Sequence, residues 1–110
     1  MQETTTATTK PMDLIFWEHS VTKEVYTNDG RLMGTLKGIL VDPVAWTIPQ
    51  LVIEVNKDVL EELNLKKHMF STVLVSMPSS YAMGASDVMQ LNTNLAAIKG
   101  VIKIYEIKKT

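Results

Sequence analysis
The chain has 110 residues, 45% of them hydrophobic and 21% charged, with a formal charge of -1 and a pI near 6.1. That is the size and balance of one domain with a single small core. The absence of cysteine excludes disulfides, thiolate metal sites and thiol catalysis, and the charge lacks the basic excess that direct nucleic-acid binding needs.

Residues 1–12 are Thr-rich and nearly devoid of anchoring apolar side chains. They read as a disordered tail, leaving 13–110 as the domain. The start lacks the basic-then-apolar order of a secretory leader. No apolar run nears the roughly 20 residues of a membrane helix. Without cysteine, the chain fits a reducing cytoplasm, with any membrane association made through a partner.

Leu14-Ile15-Phe16-Trp17 gathers four large apolar residues before Glu18-His19-Ser20 breaks the run. Three placements fit: a first strand packed into the core, a cover over one end of the fold, or an exposed anchor for a partner, since aromatic side chains dominate interface energetics. The general burial of large apolar residues favours the first two.

From Val25 to Val55 the pattern is three strands joined by two turns. Asn28-Asp29-Gly30 tolerates the positive φ of a tight hairpin turn, and Asp42-Pro43 fixes a type I corner. An unbroken strand puts Leu32, Gly34, Leu36, Gly38 and Leu40 on one face. Glycine weakens a flat strand but suits a coiled wall, so Gly30, Gly34 and Gly38 argue for a small closed barrel. No helix N-terminus follows them, as a phosphate-binding loop would require. Pro49 marks an edge or a bulge at the start of the third strand.

Asn56 to Leu65 changes period: Val59, Leu60 and Leu63 form a short helical stripe, Asp58 and Glu61 have the form of a capping box, and Asn64 suits the left-handed C-terminal position. Strands follow at 70–77 and 87–91, with a bend at 81–86 between them. Asn94 caps a last helical turn, Leu95 to Ile98. Val101 to Ile107 reads as a terminal strand with Val101, Lys103, Tyr105 and Ile107 on one face, placed to close the barrel or to pair with another subunit.

No reactive constellation is visible. His19 and His68 lack metal-ligand spacing. The carboxylates sit at turns and caps, where backbone roles explain them, and Ser79-Ser80 lacks a nucleophile elbow. The chain therefore reads as a non-enzyme with no catalytic, metal or cofactor residues.

The run Val25, Asp29-Gly30, Met33-Gly34, Asp42-Pro43, Trp46 and Leu51-Val52-Ile53 resembles the PRC-barrel domain, as do Val73 to Pro78 and Asp87 to Leu91. The family's compact valine-glycine-aspartate step is stretched here to Met83-Gly84-Ala85-Ser86-Asp87. The resemblance implies an all-β fold: a small PRC-type β-barrel of about six strands with one or two short helical turns, in which Gly30, Gly34, Gly38, Asp42 and Pro43 determine the fold. It also implies a protein-interaction adaptor like the short archaeal PRC-barrel proteins of cell division. The expected partners are a SepF-type membrane anchor of FtsZ, other PRC-barrel division proteins and a second copy in a homodimer, with recruitment to the division site. The alternative is a ribosome-assembly or RNA-processing accessory. Leu14, Ile15, Phe16, Trp17, Val101, Lys103, Tyr105 and Ile107 lie outside the best-matched core, so the interface is expected there.

Overall fold
The computed structural model describes residues 14–85 and 87–109; the Thr-rich segment 1–12 lies outside them. Seven strands form one sheet: β1 (Ile15–Tyr26), β2 (Leu32–Asp42), β3 (Thr47–Val55), β4 (Ser71–Pro78), β5 (Ala82–Ala85), β6 (Met89–Leu91) and β7 (Lys103–Lys109). Their order is β5-β6-β1-β2-β3-β4-β7. Pairing is antiparallel except between β1 and β6, which meet in parallel at Val25 and Tyr26. β5 and β7 are the sheet's edges.

Both expected hairpin turns are present. Gly30 has φ 85 and its N–H donates to the Thr27 carbonyl, while Thr27 N–H donates to the Arg31 carbonyl. Thr27 is fully buried; its hydroxyl donates to Asp29 Oδ1 and accepts from the Arg31 N–H at 3.0 Å. A buried hydroxyl must be bonded in this way. After β3, the buried stripe Val59, Leu60, Leu63 and Leu65 packs onto the sheet. The helical cap there is Asn56, whose side chain accepts from the Asp58 N–H, rather than Asp58 itself. Asn64 takes the left-handed position at φ 64. The Leu65 N–H reaches back to the Leu60 carbonyl, ending the turn in a Schellman motif. Helix α1 (Leu95–Lys99) is capped by Asn94, which accepts from the Ala97 N–H, and buries Leu95 and Ile98.

The core has two parts on opposite faces of the central strands. The larger joins Leu36, Leu51, Ile53, Val73 and Val75 to the helical turns and α1; the smaller joins Leu40, Val52 and Leu74 to Leu14, Phe16 and Tyr105. Because β3 and β4 are covered on both sides, Leu51-Val52-Ile53 and Val73-Leu74-Val75 are unbroken apolar runs instead of alternating ones.

Phe16 and Tyr105 report how far the sheet coils. Their strands are separated by β2, β3 and β4, about 19 Å in a flat sheet. Their ring centroids nevertheless lie 5.5 Å apart, tilted at 46°. The register of β1 against β2 also shifts between Glu18 and Lys23. Extra residues in one strand raise local twist and bend it.

Bulges correct two expected faces. Leu36 pairs with Ile53 but Gly38 with Val52, so Lys37 is an extra residue and the alternation switches there. Leu36 and Ile39 both pack on the larger core, Leu40 on the smaller. The five alternating residues of β2 therefore do not share one face. In β7 the register shifts opposite Leu74 and Val75. Tyr105 joins the smaller core and Ile107 the larger, so these two lie on opposite faces. Val101 precedes β7 instead of belonging to it. The segment read as a bend contains a 3₁₀ turn, Ser79–Tyr81, and then β5, which makes seven strands rather than about six. Pro49 falls at a register irregularity, one of its two expected settings.

Candidate protein-interaction surface
The strand register gives the molecule two ends. Asp42, Thr47, Pro78 and Lys103 lie at one; Leu32, Val55, Ser71 and Lys109 lie at the other. Ile15 pairs with Val41 and Trp17 with Ile39, so the start of β1 is at the first end. Ile15 is 47% exposed and Trp17 58%. Their neighbour Phe16 points to the opposite face and is half-buried, as is Leu14. The apolar cluster thus divides: Leu14 and Phe16 cover the smaller core, while Ile15 and Trp17 face solvent.

The β2–β3 turn adds to this exposed apolar surface. Asp42 Oδ1 accepts from the Val44 N–H at 3.0 Å and the Ala45 N–H at 3.2 Å, and the Asp42 carbonyl accepts from the Trp46 N–H at 2.7 Å. Pro43 holds the corner. This well-bonded turn exposes Val44 (83%) and Trp46 (76%), followed by Ile48 (46%). Trp46 has φ 56, a left-handed value that costs a bulky side chain energy. One exposed leucine or isoleucine is ordinary. Five large apolar side chains at one end are the pattern of a contact surface.

Among the described residues, the outer side of β1 is paired with β6 only at Val25 and Tyr26, and Ile15 to Glu18 have no described strand partner on that side, the kind of edge to which a strand can add. At the far edge, β7 carries exposed Lys103, Lys108 and Lys109, which blunt it against indiscriminate pairing. Tyr105 is half-buried, and its phenol is pushed up by burial and then by the neighbouring Glu106 carboxylate. Val101 and Ile107 are half-buried too. Of the second expected interface group, only Lys103 is open to solvent.

Of the glycines expected to shape the fold, Gly30 is set by its positive φ, and Gly34 and Gly38 by close approach. A Cβ at Gly34 would collide with the Glu54 carbonyl oxygen; one at Gly38 would collide with the Trp17 carbonyl oxygen and the Phe16 ring. Sequence reasoning did not single out Val44, Trp46 and Ile48 as surface residues. The signal was present in Pro43-Val44-Ala45-Trp46, apolar residues where turn chemistry favours polar ones.

A shallow cleft of about 200 Å³, lined by Leu32, Gly34, Thr35, Glu54, Val55, Asn56, Lys57 and Thr72, lies toward the other end. Its carboxylate, Glu54, is 3.6 Å from Lys37 Nζ, and Lys57 Nζ donates to the Met69 and Ser71 carbonyls. Among the described residues no group of His, Cys, Asp and Glu is gathered to hold a metal ion, and no helix is long and apolar enough to cross a membrane. Comparisons with family profiles, curated proteins and solved structures yield no match for this chain.

Proposed function
We propose that this chain is a non-enzymatic protein-interaction adaptor of the PRC-barrel type, acting in archaeal cell division with a SepF-type membrane anchor and FtsZ. The observation that carries the interaction reading is the apolar end formed by Ile15, Trp17, Val44, Trp46 and Ile48. The barrel reading draws on the Phe16–Tyr105 contact across the coiled sheet, together with burial of both faces of β3 and β4. The division role follows from the resemblance of Val25 to Val55 and Val73 to Leu91 to that family.

In this reading the partner docks on the two tryptophans and extends the sheet along the outer side of β1. Backbone hydrogen bonds then supply affinity and the tryptophans selectivity. The protein works as a homodimer, recruited from the cytoplasm to the division site. Biolayer interferometry with purified archaeal SepF and FtsZ tests the proposal. Binding by the wild type, and a loss of about tenfold or more on Trp17→Ala/Trp46→Ala, are expected for two interface aromatics. Failure to bind either protein, with retention of ribosomal subunits instead, contradicts it. Light scattering at micromolar concentration is expected to give twice the 12.3 kDa chain mass; a monomer mass contradicts the dimer.

A further inference from the structure
The end of the molecule opposite the tryptophans carries a surface of different chemistry, which the adaptor reading does not use. Phe70 is 85% exposed and Met69 47%, at the corner between the 3₁₀ turn Lys66–His68 and β4. An aromatic side chain so exposed usually lies on a loose loop. Here the corner is fastened: Lys57 Nζ donates to the Met69 carbonyl at 2.9 Å and also to the Ser71 carbonyl, bracketing Phe70. The Met69 N–H closes the turn onto the Lys66 carbonyl at 3.1 Å. The backbone that carries the ring is therefore tied down on both sides.

Four exposed lysines lie at the same end of the molecule, Lys108 and Lys109 on opposite faces of β7. Lys66 and Lys67 precede Phe70 in the turn, and the β4–β7 register sets Lys109 opposite Ser71 and Lys108 opposite Thr72. None of the four has an ion-pair partner among the described residues. The nearby Glu62 is committed to Arg31, which chelates it through both carboxylate oxygens; Asp58 and Glu61 remain on the adjoining turn.

From this geometry we infer that the Phe70 corner is a docking site for an anionic lipid bilayer. The flexible Met69 and the Phe70 ring enter the headgroup boundary, and Lys66, Lys67, Lys108 and Lys109 sit over the lipid phosphates. The shape favours a membrane over nucleic acid. Phe70 is exposed at a corner, the cations are all lysine, and the whole chain has a net charge of -1. A bilayer needs only a local basic patch, because its potential decays within a Debye length of about 8–10 Å at physiological salt. Lying at the other end from Trp17 and Trp46, this contact leaves the protein-binding surface facing away from the membrane.

Sedimentation of the full chain with extruded vesicles tests the inference. The wild type is expected to bind vesicles containing about one-third phosphatidylglycerol at about 0.1 M salt, to ignore pure phosphatidylcholine, and to be released by about 1 M salt, where screening shortens to about 3 Å. Phe70→Ser, and separately Lys108→Gln/Lys109→Gln, are each expected to weaken binding about tenfold. Both alter exposed side chains, and circular dichroism checks that the fold is retained. A tryptophan probe gives orientation: Phe70→Trp in a Trp17→Phe/Trp46→Phe background is expected to shift its emission to the blue on anionic vesicles, while the native tryptophans do not shift. The inference is overturned if the wild type stays in the supernatant, if neutral vesicles bind as well, if the variants bind like the wild type, or if Trp17 and Trp46 shift instead.

Discussion

Trp46 holds a left-handed backbone conformation while most of its side chain stays in water. Burial within the chain offers little to offset that strain. Trp46→Gly is therefore expected to stabilise the fold by about 1 kcal/mol, the usual relief at such a site. The urea midpoint should rise with an unchanged slope while partner binding weakens; a lower midpoint would mean that the indole supports the fold after all. Gly34 and Gly38 behave in the opposite sense. A methyl group at either meets backbone carbonyl oxygen that cannot rotate away. Gly34→Ala and Gly38→Ala are each expected to cost about 2–3 kcal/mol, in the range of overpacked sites, read as a lower denaturation midpoint. Glu62 adds a pH dependence. Its hydrogen bonds and charge interaction with Arg31 hold its carboxyl below the usual carboxylate value of 4.5. The contribution is present above about pH 4.5 and fades as acid takes the carboxylate through its lowered value. Both groups are exposed, so salt weakens it. The stability difference between wild type and Glu62→Gln should be small, constant near neutrality and gone at low pH; a difference that grew on acidification would contradict the pairing.

At the scale of elements, β1 does two jobs that its sequence merges into one apolar run. Ile15 and Trp17 face outward while Phe16 closes the smaller core against Tyr105. Phe16→Ala is expected to destabilise the protein by about 2–3 kcal/mol, below the full cost of a deeply buried phenylalanine because Phe16 is only half-buried. Trp17→Ala should cost much less, so equal thermal midpoints for the two variants would contradict the division of faces. Much here was legible in the residues. Asn28-Asp29-Gly30, Asp42-Pro43, Asn64 and Asn94 act locally, and local chemistry determined their turns and caps. The bulges at Lys37 and Tyr105 were not legible. A one-residue slip leaves propensity unchanged and is selected by coiling of the whole sheet, which carries Phe16 to Tyr105. The short strand β5 was missed for a related reason: Ala82-Met83-Gly84-Ala85 has little strand character and pairs because β6 is already placed beside β1. The candidate surface was half legible. Ile15 and Trp17 were among the expected interface residues, while Trp46 was absorbed into a family pattern. Val101, Tyr105 and Ile107 looked available only because an unbroken strand was assumed.

For the whole molecule, the antiparallel meander separates two chemistries. Tryptophans and aliphatic side chains gather at the Asp42 turn; lysines and Phe70 gather where β4 begins and β7 ends. A net charge of -1 conceals this polarity, because composition averages the ends that topology separates. In the proposed adaptor role, such a layout would let two surfaces at opposite ends engage two partners without competing for the same residues. The most direct test is the affinity of the purified full chain for an archaeal SepF-type anchor, wild type against Trp17→Ala/Trp46→Ala, with Phe70→Ser as the control at the other end. The expected result is a loss of about tenfold or more for the tryptophan pair, no change for Phe70→Ser, and native circular dichroism for all three. Equal affinities for wild type and the tryptophan variant, or a loss caused by Phe70→Ser alone, would contradict it.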